Sequence, residues 1–389
     1  MVAAGASEAP PAPAERSEAA PLVAEHLIDL TERVEAIRAR HEVPALALAW
    51  VRDGQVVAVG ASGVRKHGAP VPVTTDDQWH IGSCTKAMTA TLAAILVEKG
   101  VIAWDATIAA SFPELAEEMR ESYRGATLKQ LLAHRAGLPA DNAPNPAQHA
   151  IWNAMRSAGE SLAERRAIAV RAGLVQEPVA PPDEAFGYSN LGYTIAGAML
   201  ERATGRTYEQ LMQEHLFDPL GMASAGWGPP GTPGKIDQPF GHARALLGVQ
   251  SFGPDAPIAD NPAAMAPAGT CHVSLVDWGR FLAAHARHGR DGTLVSPEMF
   301  DALHTPLGDD YALGWMVTHR PWAAGPVLTH GGSNTIWFAV VWMDAEKGDA
   351  FFAASNIASP QAMRACDEAV ASVITDPPDA PTPQAPTPE

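Results

Sequence analysis

Ser83 and Lys86 stand three residues apart in the stretch IGSCTKAMTA, at the start of an apolar run. Residues at i and i+3 share one face of a helix, so the lysine amine would lie beside the serine hydroxyl. That pairing supplies a nucleophile together with a base. A helix N-terminus also favours negative charge, which helps wherever an alkoxide or oxyanion develops. The same serine suits an ordinary helix start: Ser83 is a good N-cap for CTKAMTATLAAILVEKG, whose apolar residues have helical spacing up to Gly100. Cys84, directly after Ser83, is a second candidate nucleophile; no adjacent Cys/His/Asn signature supports it, and packing is its expected role. Two other short stretches stand out. FGYSN sets Tyr188 and Asn190 just before a helical run, and alone it reads as a buried tyrosine with a capping asparagine. LTHGGSNT sets His330, Gly331 and Gly332 at the edge of an expected strand, and alone it reads as a tight turn.

The elements that must position these residues follow from periodicity. LVAEHLIDLTERVEAIRARHEV has apolar residues at helical spacing and is expected to form the first helix. PALALAWVRDGQVVAVGASGVRK reads as two strands turning at Asp53-Gly54. From about 104 to 285 the chain shows helical patterns, few strands and many Pro/Gly-rich loops. TLKQLLAHRAG has a threonine cap and an expected end at Gly137, and YSNLGYTIAGAMLERATG and YEQLMQEHLFDPLG continue the helical character. The Gly/Pro-rich segment Ala223 to Gly269 is too long for a connector and is expected to fold over or around a site. Near the C-terminus YALGWMV, PVLTHGG, TIWFAVVWMD and AFFAASN read as antiparallel strands, and SPQAMRACDEAVASVI as a closing helix. Strands at both ends with helices between predict a discontinuous α/β domain over residues 21–103 and 286–375, carrying a mainly helical insertion over 104–285. Residues 1–20 and the Pro-rich 376–389 read as a disordered leader and tail.

Composition narrows the function. The 389 residues include 27 basic and 44 acidic side chains, a net charge of −17 that repels phosphate backbones and anionic surfaces. Nucleic acid is therefore not an expected partner, and no phosphate-binding glycine loop of the Walker type occurs. The longest apolar stretches, such as PALALAWV and IWFAVVWM, are strand-length, so no membrane span is expected. Cys84, Cys271 and Cys366 are an odd set without metal-ligand spacing, and no disulfide framework is implied. His285 and His288 in HARHGRDG have basic neighbours and no third ligand within reach by sequence, so a solvated face is expected there rather than a metal site. The start MVAAGASEAPPAPAERSEAAP lacks the basic region and apolar core of a signal peptide. A periplasmic or secreted location would require a signal already removed; a cytoplasmic protein is the alternative.

Taken in order, S-x-x-K, Y-x-N and H-x-G resemble the three motifs of the penicillin-recognising serine hydrolases, in particular the class C β-lactamase-like group. That group includes D-alanine-acting peptidases and family VIII carboxylesterases. The resemblance runs from about Pro44 to Ala371 and takes in the entering hairpin, LLAHRAGLP, NLGYTIAGAMLERATG and PAGTCHVSLVDWGRFL. It implies an α/β (α+β) β-lactamase-like fold, an antiparallel sheet flanked by helices. It further implies Ser83 as the acylated nucleophile, Lys86 or Tyr188 as its base, and Asn190 orienting either Lys86 or the substrate amide. The oxyanion would be bound by the backbone N–H groups of Ser83 and Ser333, and no metal or organic cofactor is implied. In the third motif the lactamases carry Lys-Thr-Gly, where this chain has His330-Gly331-Gly332. A mostly neutral histidine and a bare glycine recognise a carboxylate less well. The expected activity is a carboxylesterase or broad acyl hydrolase on a small ester, amide or lactam, with a D-amino-acid peptidase or weak β-lactamase, or a non-catalytic penicillin-binding sensor, as alternatives. Trp227 and Phe240 are expected pocket walls, with Trp152 a possible lining residue and Trp337 assigned to the core.

Overall fold

The hairpin expected at Asp53-Gly54 forms between β2 (Ala45–Arg52) and β3 (Gln55–Gly63), and both turn residues take positive φ, 51° and 69°. Such a turn matches the twist of the strands it joins. The computed structural model describes residues 21–141, 146–156, 159–246 and 248–378. The expected leader 1–20 lies outside the described residues, as does the expected tail from residue 379 on. Two helices and five further strands complete the main layer: β1 (Val23–Asp29), α1 (Thr31–His41), β9 (Met316–His319), β10 (Pro326–Ser333), β11 (Phe338–Asp344), β12 (Asp349–Ser355) and the closing helix, which runs from Pro360 to Thr375. The seven strands are ordered β1-β3-β2-β12-β11-β10-β9. Chain start and chain end meet where β12 pairs with β2, Ala353 opposite Leu48.

β2 shows why this sheet reads as an unbroken apolar run. Leu46, Leu48 and Trp50 pack in a cluster with α1 and the closing helix, while Ala47, Ala49 and Val51 join the larger core on the other face, against the helix Leu275–Arg287. A strand covered on both faces has no polar side to display. The sheet is antiparallel apart from β1, which pairs parallel to β3.

That β1 exists at all corrects the expected first helix. The stretch LVAEHLIDLTERVEAIRARHEV splits into a strand and α1, and Asp29 marks the join by accepting from Thr31 N at 2.8 Å. Leu22, Val23 and Leu27 fit either periodicity; the unpaired edge of β3 decides, taking Val56 N to Leu22 O at 2.8 Å and Leu30 N to Val59 O at 2.9 Å.

The middle of the chain holds the central helix α2 (Thr85–Glu98), buried on every face from Thr85 to Leu96. Beside it stands α3 (Asn190–Thr204), which Gly205 ends at φ 72°. The helix at Leu128–Leu132 has the expected threonine cap, with Thr127 and Gln130 forming a reciprocal capping box, but it stops short of Gly137 because His134 takes φ 57°. The same region carries strands that periodicity missed, since each is too short to show any. β4 (Gln78–His80), β5 (Gly226–Trp227) and β8 (Cys271–Ser274) form a three-stranded sheet, and β6 (Gly241–Ala245) pairs with β7 (Gly248–Phe252). His285 is not on a solvated face: it is fully buried, its Nε2 2.9 Å from Thr91 Oγ1 and its Nδ1 2.9 Å from His304 Nε2. Burial pulls its pKa down to about 3. His288, next along, is half-buried at the helix end and meets Asp301 at 2.8 Å. All three cysteines are buried and free.

Candidate active site

Ser83 does not cap α2. It sits in a 3₁₀ turn, Gly82–Cys84, that precedes the helix, and neither the turn nor α2 receives a side-chain cap. Thr85 holds the turn instead, its Oγ1 donating to Gly82 O at 2.7 Å. The Ser83 hydroxyl is left for Lys86, whose Nζ lies 3.1 Å away. Lys86 is completely buried, and its Nζ also donates to Asn190 Oδ1 and to Ala268 O, each at 2.7 Å. Burial lowers the Lys86 pKa to about 7, against the opposing pull of the Asp141 charge. When the ammonium loses a proton, two N–H groups remain for two obligate acceptors, Asn190 Oδ1 and Ala268 O. The lone pair then faces Ser83 Oγ.

Tyr188 arrives from the residues just ahead of α3. Its hydroxyl is hydrogen-bonded to Ser83, and its ring lies under Lys86 Nζ at 4.8 Å. Burial raises its pKa, so the neutral phenol is the resident form. Asn190 is the first residue of α3 and does not cap it with its side chain. The helix N-terminus is served by Asp141, whose carboxylate accepts from Asn190 N, while Asp141 N donates to Tyr188 O at 2.8 Å. Burial raises the Asp141 pKa.

β10 brings the third motif alongside. β9 pairs only with Pro326 to Thr329, so the edge of β10 from His330 to Ser333 is open toward Ser83. The two glycines differ. A Cβ on Gly332 would stand 1.9 Å from Ile81 O and 2.9 Å from Ser83 N, whereas one on Gly331 meets nothing within 4 Å. Gly332 is thus required by the contact between the strand and the Gly82–Cys84 turn, and only Gly331 leaves room for a ligand. The turn side is equally tight: Gly82 has φ 50°, and a Cβ there would lie 2.3 Å from Ser333 N.

His330 is buried, with Nδ1 2.7 Å from Gly331 O and Nε2 3.2 Å from the Tyr311 hydroxyl. A carbonyl only accepts, so Nδ1 carries the ring proton and Nε2 accepts from Tyr311. Burial and the nearby Lys86 charge pull the His330 pKa down to about 3. His330 therefore supplies no cation to bind a carboxylate.

A cavity of about 430 Å³ opens beside Tyr188, His330 and Gly331, walled by Phe186, Tyr311 and Met316, with Asp309 and Asp310 at its mouth. A larger hollow of about 490 Å³ at the β2–β3 turn shares no residue with this cluster. The expected walls are elsewhere: Trp227 packs on Tyr208 and Phe217, and Phe240 lies under Lys66. Trp152 shares a hydrogen bond with Asp141 without lining the cavity, and Trp337 is core, 1% exposed. Phe186, Tyr193, Tyr311, Asp141 and His134 were missed. His134, whose Nδ1 accepts from Ser189 N, stacks 4.3 Å from the Tyr188 ring and joins these aromatics into one cluster. The Gly/Pro-rich segment does reach the cluster, since Ala268 O anchors Lys86. The Cys84 thiol is turned away, 3.4 Å from His330 O, and burial raises its pKa to about 12, which removes it as a nucleophile.

Known proteins share this architecture. A penicillin-binding protein homologue from Pyrococcus abyssi, an octamer, superimposes with a TM-score of 0.71 at 22% identity, over 88% of this chain and 77% of its own. A D-amino acid amidase from Ochrobactrum anthropi SV3, complexed with L-phenylalanine amide, gives 0.68 at 22% identity over 89% and 98%. In sequence, penicillin-binding protein 4 of Amycolatopsis lactamdurans is 32% identical over 268 residues, 68% of this chain; the chain spans 65% of that relative's length. Residues 30–375 match the Beta-lactamase family model. With a mixed sheet flanked by helices and a Ser-Lys pair at the head of its central helix, the chain belongs to the Beta-lactamase family of serine hydrolases.

Proposed function

We propose that this protein hydrolyses small carboxylic esters through an acyl-enzyme on Ser83. The observation that carries the reading is Lys86: buried, fully hydrogen-bonded and 3.1 Å from Ser83 Oγ. Neutral Lys86 takes the Ser83 proton as Oγ attacks the ester carbonyl. The oxyanion is received by the N–H groups of Ser83 and Ser333. Collapse expels the alcohol, protonated through the Tyr188 hydroxyl, and water then releases the acid from Ser83. Lys86 rather than Tyr188 serves as the base, because burial brings the lysine toward neutrality and moves the phenol away from ionisation. The apolar cavity and the neutral His330 favour an uncharged acyl group over the carboxylate of a β-lactam.

The test is nitrophenol release from p-nitrophenyl butyrate by the unmutated protein and by Ser83→Ala. Release that disappears with the serine supports the reading, and near-normal release by the variant rejects it.

A second reading, hydrolysis of D-amino-acid amides, is favoured by Asp310. Asp309 is held by Arg135 at 2.6 Å, whereas Asp310 is exposed at the mouth of an apolar cavity that, among the described residues, no lysine or arginine lines. A substrate ammonium would be attracted there. Ammonia release from D-phenylalanine amide should then exceed that from its N-acetyl derivative, and Asp310→Asn should erase the difference; equal rates in the unmutated protein reject it.

A further inference from the structure

Buried side chains outside the three motifs tie together the two segments that would bind the oxyanion. His80 ends β4, three residues before Ser83, and is fully buried. Its Nδ1 accepts from Gly82 N at 3.2 Å, which leaves the ring proton on Nε2. Nε2 lies 2.7 Å from Asp260 Oδ1. The same oxygen accepts from Asn334 Nδ2 at 3.0 Å. Asn334 directly follows Ser333, is 4% exposed, and uses its own Oδ1 to accept from Ile336 N at 3.3 Å and Trp337 N at 3.1 Å. It thereby fixes the turn out of β10, where Thr335 takes φ 79°.

The links run from Gly82 through His80 and Asp260 to Asn334. One end is the residue before Ser83 and the other is the residue after Ser333. Burying a carboxylate is unfavourable unless it is paired, and Asp260, whose side chain is 7% exposed, gathers its partners on Oδ1, which faces His80 Nε2 and accepts from Asn334 Nδ2 and from Asn261 N at 2.7 Å. Asn261 in turn donates to Gly269 O at 3.0 Å, beside the Ala268 carbonyl that anchors Lys86. The loop carrying Asp260 thus touches His80 ahead of the Ser83 turn, the exit of β10 at Asn334, and Gly269 next to the lysine anchor.

We propose that His80, Asp260 and Asn334 form a buried strut that sets the spacing between the Ser83 and Ser333 N–H groups. They are positioning residues for the acyl transfer proposed above, and the inference rests on that reading. Oxyanion donors act over a narrow range, roughly 2.7 to 3.1 Å from the charged oxygen, so a small relative shift of either segment lowers transition-state binding without touching the cavity.

Asp260→Ala and Asn334→Ala interrupt the strut, and Asp260→Asn keeps an acceptor oxygen at its centre. For each, kcat and KM are measured on p-nitrophenyl butyrate, together with inhibition by butylboronic acid, whose tetrahedral adduct would place an oxygen between the same donors. Hydrogen exchange is followed in peptides covering 81–84 and 333–337. The strut predicts that kcat falls about 10- to 100-fold in the alanine variants with KM little changed. Boronate affinity falls in step, both peptides exchange faster, and Asp260→Asn restores most of kcat. Folded variants with unchanged kcat, an effect confined to KM, or unchanged exchange at 81–84 when Asp260 is removed would each overturn it. Should Asp260→Ala fail to fold, Asn334→Ser interrupts the other end and is read in the same way. If the unmutated protein neither turns over ester nor reacts with a fluorophosphonate, the hydrolase reading fails. Exchange then decides the strut alone, with coupled loosening of the two peptides sustaining it and independent behaviour rejecting it.

Discussion

The position of Lys86 translates into a pH dependence. Its pKa is lowered to about 7, so the neutral form, the one able to act as the proposed base, is depleted below that value and dominant above it. Ester hydrolysis by the unmutated protein should therefore rise about tenfold per pH unit on the acid side and level off above neutrality; a profile flat from pH 5 to 9 would remove Lys86 as the base. Tyr188→Phe deletes the hydroxyl bonded to Ser83, and kcat should fall on the order of 10²-fold or more; an unchanged kcat would show that the leaving group finds its proton elsewhere. His330→Lys should lower KM for carboxylate-bearing substrates and also shift the acid limb to lower pH, because a second cation near Lys86 favours its neutral form. At this scale the sequence was readable where chemistry lies in short spacings. Ser83 with Lys86, Tyr188 with Asn190, and His330 with its glycines are local patterns, and their side chains meet in space. Asp141, Tyr311 and the Ala268 carbonyl could not be read that way. Asp141 comes from a turn, Tyr311 from an isolated bridge to Met316 and Ala268 from the one-turn helix Ala266–Gly269, and no short spacing connects them to the cluster.

Between elements, the contact of β10 with the Gly82–Cys84 turn is the tightest feature of the site. Gly332→Ala places a methyl group against Ile81 O and should destabilise the protein by about 1–3 kcal/mol while suppressing acylation, whereas Gly331→Ala should fold normally and change KM. Denaturant melts and steady-state kinetics on the pair check this; similar behaviour of the two would show that the strand moves freely relative to the turn. The packing thus gives the two glycines different roles. The reading of elements failed in an instructive way at Leu22 to Val43. A pattern of apolar residues that fits both periods is settled by which partner has an open edge, and β3 had one. The long strands β2, β3, β11 and β12 were legible because alternation or a continuous apolar run extends over seven or more residues. β4, β5 and β8 are two to four residues long and leave no such trace.

Across the whole molecule, the helical part is clamped by a charge that no solvent reaches. Arg166 is fully buried between Glu201 and Glu209, with guanidinium contacts to both carboxylates. Arg166→Met would leave two carboxylates facing each other and should cost about 3–5 kcal/mol, measured by urea unfolding, with the kcat of the folded fraction retained. A loss under 1 kcal/mol would mean that both acids find other partners.

The pairing of β2 with β12 has a consequence for how the protein is made. A strand buried on both faces is completed by a neighbour roughly 300 residues later in the chain. At translation rates of about 5–20 residues per second, the apolar edge of the β2–β3 hairpin waits on the order of 15–60 s outside the ribosome before its partner emerges. During that interval nothing native can cover it, and an uncovered apolar edge is a template for pairing with other chains. The newborn chain is therefore far more open to such pairing than the finished protein is. Fragments that end before β10 should aggregate even though they carry Ser83, Lys86 and Tyr188.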